Sequence, residues 1–256
     1  MRIAQQISIK YLRQLIVQAL FKLNYRTMNI IVNGGTRGIG KEIVHILAQN
    51  IDNKIIVTGR NKKNLDNLKV QFPNVITVAI DLSDFDSHIT SLSNEVKKNF
   101  KQVDILINVA GFLISKEFVN TDTTDARLMM EINFFGPSSL IRIIKPFMLK
   151  GSHIVNISSM GGFQGSSKYR GLSYYSASKA ALACLTECLA TEFKEDGIKV
   201  NCLALGSVQT EMLEEAFPGY KAPVSAKEMG TFIAEFALNG HKVFNGKILP
   251  VGVSNP

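Results

Sequence analysis

The chain has 256 residues, 46% apolar and 20% charged, so it can bury a sizeable core, and disordered or fibrous proteins are excluded. Three scattered cysteines cannot build a disulfide framework, which excludes a disulfide-built secreted protein and favours a reducing, cytoplasmic setting. The net charge of +8 is concentrated in residues 1–27, and the remaining 24 basic and 21 acidic residues give no sign of a nucleic-acid partner.

Residues 1–27 predict a basic amphipathic helix, because apolar residues recur at three- and four-residue spacing from Ile9 to Leu23. Gln18 and Lys22 interrupt this pattern, which falls short of the roughly 20 apolar residues that span a bilayer. Three interpretations stay open. The segment is an interfacial or targeting helix with a membrane contact, a helix packed on the domain or a partner, or a stretch upstream of a natural start at Met28.

From residue 28 onward, short β-branched apolar runs alternate with helical patterns. This alternation indicates crossover connections and a mainly parallel sheet with helices on both faces. No repeat or linker interrupts it, so we expect residues 28–256 to form one doubly wound α/β domain. The predicted strands cover residues 29–33, 54–58, 75–80, 103–107, 153–157, 198–205 and 247–251.

A glycine-rich turn follows the first predicted strand and opens the first helix, at residues 33–40 (NGGTRGIG). Glycines there allow a sharp turn and a close approach of backbone N–H groups to a pyrophosphate, next to the positive end of the helix dipole. An ordinary tight strand-to-helix turn is the alternative, but the position favours dinucleotide binding.

The G-x-x-x-G-x-G spacing of this turn resembles that of the short-chain dehydrogenases/reductases. Further motifs of that family follow in order: residues 108–111 (NVAG), Asn133, Ser159 and residues 175–179 (YSASK). The resemblance runs from residue 28 to the end of the chain. It implies a Rossmann-type fold with about seven strands, nicotinamide-dependent interconversion of a carbonyl and an alcohol, and a homodimer or homotetramer.

The second predicted strand ends without the acidic residue that would bind the adenosine ribose of NAD. Arg60 stands there instead, and Arg37 lies within the glycine turn; both guanidinium groups suit a 2′-phosphate. The alternative is that both arginines are solvated surface residues without a role in binding. Because basic residues at these places usually accompany NADP(H) in the family, we expect NADP(H) as the cofactor.

Tyr175 and Lys179 are four residues apart on a predicted helix, so they share one face. A neighbouring ammonium would lower the pKa of the phenol and prepare it for proton transfer. A packed tyrosine beside a solvated lysine is the alternative, which Ser159 at the carboxyl end of a predicted strand makes less attractive. Of the two adjacent serines there, Ser159 is the predicted catalytic residue, and Ser158 is expected to have a structural role. The resemblance adds Asn133, whose family counterpart holds a water that relays protons to the lysine.

The predicted catalytic residues are therefore Asn133, Ser159, Tyr175 and Lys179. No metal site is expected, since the four histidines are scattered, and Cys184 and Cys188 are interpreted as small buried residues. The residues that the resemblance assigns to cofactor binding are Gly34, Thr36, Arg37, Gly38, Ile39, Gly40, Arg60, Asp81, Leu82, Asn108, Ala110, Gly111, Tyr175, Lys179, Gly206, Val208 and Thr210.

The chain departs from the family pattern around the expected substrate mouth. The loop at residues 160–174 is longer than usual, and Leu205-Gly206 replaces a Pro-Gly pair. A short lid is expected at residues 211–224, with Phe163, Met212 and Phe217 lining the pocket.

The leading hypothesis is an NADPH-dependent oxidoreductase that acts on a small-molecule carbonyl or alcohol, with Tyr175 as general acid and base. The alternatives are a cofactor-binding sensor or signalling protein on the same fold and a sugar-nucleotide epimerase. Sensors of this fold often lack the tyrosine or the lysine, and this chain has both. Sugar-nucleotide epimerases typically have a different spacing of the glycines and a larger C-terminal domain.

Overall fold

The computed structural model describes residues 27–253, so the predicted leader helix falls outside it apart from Thr27. Within these residues, nine strands form two sheets. The main sheet has seven strands, all paired in parallel, and β7 and β8 form a separate short ladder. The strands are β1 (Asn29–Asn33), β2 (Lys54–Gly59), β3 (Val75–Ala79), β4 (Val103–Asn108), β5 (Met148–Ser159), β6 (Lys199–Leu205), β7 (Val208–Gln209), β8 (Val224–Ser225) and β9 (Ile248–Val251).

Helices connect the strands of the main sheet and cover both of its faces. Side chains of α1, α2 and α8 pack on one face, and those of α3, α5 and α6 pack on the other. The helices are α1 (Gly38–Ala48), α2 (Lys62–Gln71), α3 (Ile89–Asn99), α4 (Thr123–Met130), α5 (Gly136–Ile144), α6 (Ser173–Glu192), α7 (Glu211–Ala216) and α8 (Ala226–Asn239).

The apolar runs of the inner strands serve both faces, because successive side chains of a strand point in opposite directions. In β1, Ile30 and Val32 belong to the core beneath α1, and Ile31 belongs to the core beneath α5. In β4, Leu106 likewise faces the side opposite to Ile105. Continuous apolar strands with two buried faces are typical of parallel sheets, which is why the pattern identified them.

The strand order of the main sheet is β3-β2-β1-β4-β5-β6-β9. This confirms the predicted doubly wound Rossmann-type fold with a seven-stranded parallel sheet. The order reverses between β1 and β4, and such a reversal opens a crevice at the carboxyl ends of the strands where α/β proteins bind ligands. Within residues 27–253, no helix is both long enough and apolar enough to cross a membrane.

His153 lies on β5 toward the opposite, amino-terminal edge of the sheet, fully buried. Its Nδ1 is 2.9 Å from the carbonyl oxygen of Ala237, and its Nε2 is 3.0 Å from the side-chain nitrogen of Asn201. Burial, opposed by the bond to Ala237 and aided by the charge of the neighbouring His241, lowers the pKa of His153 to about 4. The imidazole is therefore neutral in the folded protein at neutral pH.

We expect this buried imidazole to make the fold acid-sensitive. Between pH 6.5 and 4 the unfolded chain binds a proton at His153 and the folded chain does not, so stability falls as the pH falls, by up to about 3 kcal/mol. Urea unfolding at pH 7 and pH 4.5 should show a smaller loss for His153→Gln than for the unsubstituted chain. An equal loss in both proteins would contradict this assignment.

Candidate active site

A cleft of about 570 Å³ opens at the carboxyl edge of the sheet, above the reversal of strand order. The glycine turn after β1 lines it, as do the ends of β4, β5 and β6 and the segment that includes α7. Three of the four predicted catalytic residues and every predicted cofactor-binding residue except Asn108 line this cleft. The sequence motifs, which are spread over about 180 residues of chain, are thus brought to one place.

The glycine turn is close-packed against the neighbouring strand. Gly34 has φ +92°, and a Cβ there would lie 2.6 Å from the backbone nitrogen of Ala110. A Cβ on Gly40 would clash with the carbonyl oxygen of Gly34. α1 begins directly after this turn without a side-chain cap, so its first N–H groups have no partner within the helix. Uncapped N–H groups at a helix start are suited to a phosphate.

Two arginines line the end of the cleft near β2. The Arg37 guanidinium donates to Glu215 of α7 at 3.1 Å, and both side chains of this ion pair are partly exposed. Arg60 is exposed, and its positive charge interacts with the carboxylate of Asp81, which also lines the cleft. Burial raises the pKa of Asp81, but hydrogen bonds from Ser83 and the charge of Arg60 outweigh it, so the pKa lies below its ordinary value.

The predicted reacting groups meet where β5 ends and α6 begins. Ser159 ends β5 and hydrogen-bonds Tyr175, which lies one turn before Lys179 on α6. The Lys179 amine donates to the carbonyl oxygen of Ile157 at 2.9 Å. Ser158 also lines the cleft and donates to the backbone carbonyl of Lys179 at 2.8 Å. Its hydroxyl thus ties the strand to the helix.

The protein environment acts on the phenol in the direction opposite to the one predicted. Burial raises the pKa of Tyr175, and the hydrogen bond from Ser159 offsets only part of this. The expected lowering by Lys179 was wrong for the protein's own groups, because burial dominates the pKa of Tyr175. Burial also lowers the pKa of the Lys179 amine, to about 8. The tyrosine is a protonated phenol at neutral pH, which is the form of a proton donor.

Asn133 lies in a π-helical turn, Glu131–Phe135, between α4 and α5, and is fully buried. Its side chain exchanges two 2.8 Å hydrogen bonds with the backbone of Phe112 and donates to Ser178 of α6 at 3.0 Å. A Cβ on Gly111 would lie 3.6 Å from its Oδ1 and 3.3 Å from the Lys179 amine. Asn133 thus holds the wall beside Lys179 without lining the cleft, and its relay role stays a prediction.

Asn108 belongs to a row of buried polar side chains that crosses four neighbouring strands. Hydrogen bonds run in one direction from Thr58 to Asn33, Asn108, Asn156 and Thr186, with lengths of 2.8, 3.2, 2.9 and 3.0 Å. The side chain of Asn108 is therefore bonded to both neighbouring strands, and its assignment to the cofactor stays a prediction. Single polar residues in apolar strands could have suggested this row, once the register was known.

At the substrate end, Met212 and Phe217 line the cleft as predicted. Phe163 does not; its backbone carbonyl accepts hydrogen bonds from Ser166 and Lys168, which fold the loop back on itself. Several apolar residues that line the cleft carry no motif in the sequence, because they come from the loop after β4, the segment between β5 and α6, and α7. These residues are Leu113, Met160, Leu172 and Leu213, and two tyrosines, Tyr169 and Tyr220, complete the wall.

The cysteines of α6 also differ from expectation. Cys184 and Cys188 are both exposed, so their interpretation as buried residues was wrong; Cys202 of β6 is buried. A face of α6 that points to solvent explains the difference, since the helix covers the sheet with only one side. Among residues 27–253, no group of three or more histidine, cysteine or carboxylate side chains is placed to hold a metal ion.

A Rossmann-type sheet whose glycine turn and Tyr-Ser-Lys group share one cleft defines a class of nucleotide-dependent oxidoreductases. A profile of the short chain dehydrogenase family matches residues 28–221, and the chain belongs to the short-chain dehydrogenase/reductase family. An uncharacterized oxidoreductase of Staphylococcus saprophyticus is 31% identical over 214 residues, which cover 81% of this chain and 88% of that protein.

Other relatives and solved structures agree with this assignment. Dehydrogenase/reductase SDR family member 7B of Danio rerio is 33% identical over 208 residues, and the match spans 77% of this chain but only 66% of that protein. A short-chain dehydrogenase/reductase from Brucella melitensis shares the fold with TM-score 0.79 and 20% identity, over 89% of this chain and 96% of that one. The structure of ElxO with NADP bound is similar, with TM-score 0.75 and 25% identity, and the match covers 88% of this chain and 97% of that one.

Proposed function

We propose that the protein is an NADPH-dependent oxidoreductase that interconverts a small-molecule carbonyl and an alcohol. The observation that carries this proposal is the shared cleft: Tyr175, Ser159 and Lys179 line it together with the glycine turn. A cofactor on the turn and a substrate beside the tyrosine would therefore be neighbours. The retained tyrosine and lysine also favour an enzyme over a sensor on the same fold.

The residues of the turn fit a nicotinamide dinucleotide. The uncapped start of α1 offers backbone N–H groups to the pyrophosphate, and Arg37 and Arg60 offer guanidinium groups to a 2′-phosphate. β2 ends in Gly59 with no carboxylate to repel that phosphate. The NADP in the structure of ElxO supports the same choice. When bound, the nicotinamide supplies hydride for reduction or takes it up in oxidation.

The chain's own residues orient the carbonyl and manage its proton. The phenol of Tyr175 donates a proton to the substrate oxygen during reduction and recovers it during oxidation. The hydroxyl of Ser159 holds the same oxygen by a hydrogen bond, since it lies beside the phenol and acts on its pKa. Lys179, fixed by its bond to the carbonyl oxygen of Ile157, places a positive charge beneath this site that is lost as the pH rises through about 8.

Consumption of NADPH tests this proposal directly. We expect loss of absorbance at 340 nm when the full chain is given NADPH and a panel of aldehydes, ketones, quinones and 3-oxoacyl thioesters. A chain beginning at Met28 serves as a comparison that isolates the contribution of the leader. Tight NADPH binding with no turnover on any carbonyl class would favour the sensor alternative instead.

A further inference from the structure

We infer that the substrate is an uncharged carbonyl compound with an apolar body, and that Tyr169 and Tyr220 hold this body. The inference rests on the proposed function and adds to it the class of substrate and two specificity-determining residues. It depends on which charged, apolar and aromatic side chains line the cleft and on how their loops are held.

None of the cations that line the cleft in the described chain is placed to bind an anionic substrate. Among the residues of the described chain that line it, the cations are Arg37, Arg60 and Lys179. Arg37 and Arg60 lie at the glycine turn and at the end of β2, away from the tyrosine, and the amine of Lys179 donates to the backbone of β5. An anionic substrate would thus lose its hydration without gaining a cation of its own, which is costly. The lining carboxylate of Glu211, at the start of α7, would repel it further.

The wall around the reacting groups is apolar. Its side chains come from the loop after β4, the loop after β5 and the segment that includes α7. A substrate that covers these side chains removes apolar surface from water on both partners, which favours binding in proportion to the area buried. The apolar lining residues are Leu113, Met160, Leu172, Met212, Leu213 and Phe217.

Two aromatic rings stand at this wall with about half of their surface exposed, Tyr169 at 48% and Tyr220 at 49%. Aromatic rings bind flat apolar groups through large contact areas, and a half-exposed ring beside a cleft still has that surface to offer. Tyr169 comes from the long loop before α6, and Tyr220 follows α7, so the two rings belong to different segments of the wall.

Each of the two segments is anchored by a hydrogen bond. The backbone carbonyl of Tyr169 accepts from the backbone N–H of Leu172 at 3.2 Å. The hydroxyl of Tyr220 is 3.2 Å from that of Ser207, in the turn after β6. An anchored segment loses less conformational freedom when a ligand covers its ring. The departures of this chain from its family, a longer loop and a short lid, therefore supply its specificity.

The test uses 4-carboxybenzaldehyde and its uncharged methyl ester, which carry the same reacting aldehyde. With the full chain and saturating NADPH, we expect a KM for the acid at least about tenfold above that for the ester. Tyr169→Ala and Tyr220→Ala should each raise the KM of the ester roughly three- to tenfold with kcat changed less than about twofold. Tyr220→Phe keeps the ring and should retain the low KM. Phe232→Ala, which removes an exposed ring outside the cleft, is the matched control.

The outcomes separate the inference from the proposed function. Equal KM values for acid and ester, or unchanged values in both tyrosine variants, would overturn the substrate class while leaving the reductase intact. If neither aldehyde is reduced, the full carbonyl panel decides the proposed reaction, and calorimetric binding of the two compounds to the NADPH-loaded protein decides the substrate class. Tighter binding of the ester than of the acid, weakened by Tyr169→Ala, would support the apolar site. Equal binding of the two compounds would overturn it.

Discussion

Replacing Tyr175 with phenylalanine is expected to lower kcat for carbonyl reduction by about 10³-fold or more, within the range that a positioned general acid contributes. The substitution removes one hydroxyl, and with it the proton donor and the partner of Ser159. The ring and its packing remain, so the Kd for NADPH, measured by the fluorescence of NADPH itself or by calorimetry, should change less than about threefold. A loss in kcat without a loss in cofactor binding is the signature of a group that acts on the substrate.

Tyr174→Phe provides a matched control for this variant, because it removes the same hydroxyl one position earlier on α6. The ring of Tyr174 stacks on Phe118 with centroids 5.5 Å apart and does not line the cleft. We expect its kcat to stay within about twofold of the unsubstituted enzyme. If Tyr175→Phe retains more than a few per cent of the activity, the proton must come from another group, and the proposed mechanism fails.

The fold could be predicted from the sequence because apolar strands with two buried faces and crossover helices admit few arrangements. The alternation from residue 28 identified all seven strands of the main sheet, with ends displaced by a few residues at β5, which begins at Met148 rather than at residue 153. The early start was hidden because Lys150, Gly151 and Ser152 interrupt the apolar pattern there. Sheet pairing with β4, not local propensity, extends the strand.

The site was predictable to the extent that motifs fix backbone positions, and less so where side chains choose their partners. The glycine turn and the Tyr-Lys pair lie in the cleft because their spacing ties them to strand and helix ends. Asn108 could equally have faced the cleft, and only the register of β1, β4 and β5 shows that Asn33 and Asn156 occupy its side chain. Pairings between distant segments, such as Arg37 with Glu215, leave no mark in the sequence.

The direction of the tyrosine pKa illustrates the same limit. The sequence places Lys179 one turn from Tyr175 and so predicts a Coulombic lowering. Burial acts on both groups and disfavours both charged forms, raising the pKa of the phenol and lowering that of the amine. Desolvation depends on everything that surrounds a group in three dimensions, so neighbours on one helix are insufficient to predict it.

Replacing both Arg37 and Arg60 with alanine is expected to raise the KM for NADPH by about 100-fold and to leave the KM for NADH within about threefold. Each arginine would make charge-assisted hydrogen bonds to the 2′-phosphate worth about 1.5–3 kcal/mol, and a loss of about 3 kcal/mol in total corresponds to that factor. Steady-state kinetics with both cofactors measure the change. The prediction fails if the unsubstituted enzyme has equal KM values for NADPH and NADH, or if the double variant keeps its preference.

Glu215→Gln distinguishes loss of phosphate contacts from disturbance of α7. In the described structure Arg37 pairs with Glu215 at 3.1 Å, so the double variant also removes a contact between the glycine turn and α7. Glu215→Gln breaks this ion pair and leaves Arg37 in place; because exposed ion pairs contribute about 0–1 kcal/mol, we expect NADPH preference to persist. Added salt should reduce the preference of the Glu215→Gln enzyme, since exposed guanidinium groups are screened, and should barely affect the double variant. If the preference for NADPH is lost only with the two arginines, and salt weakens it only when they are present, it arises from their charge and not from the position of the helix.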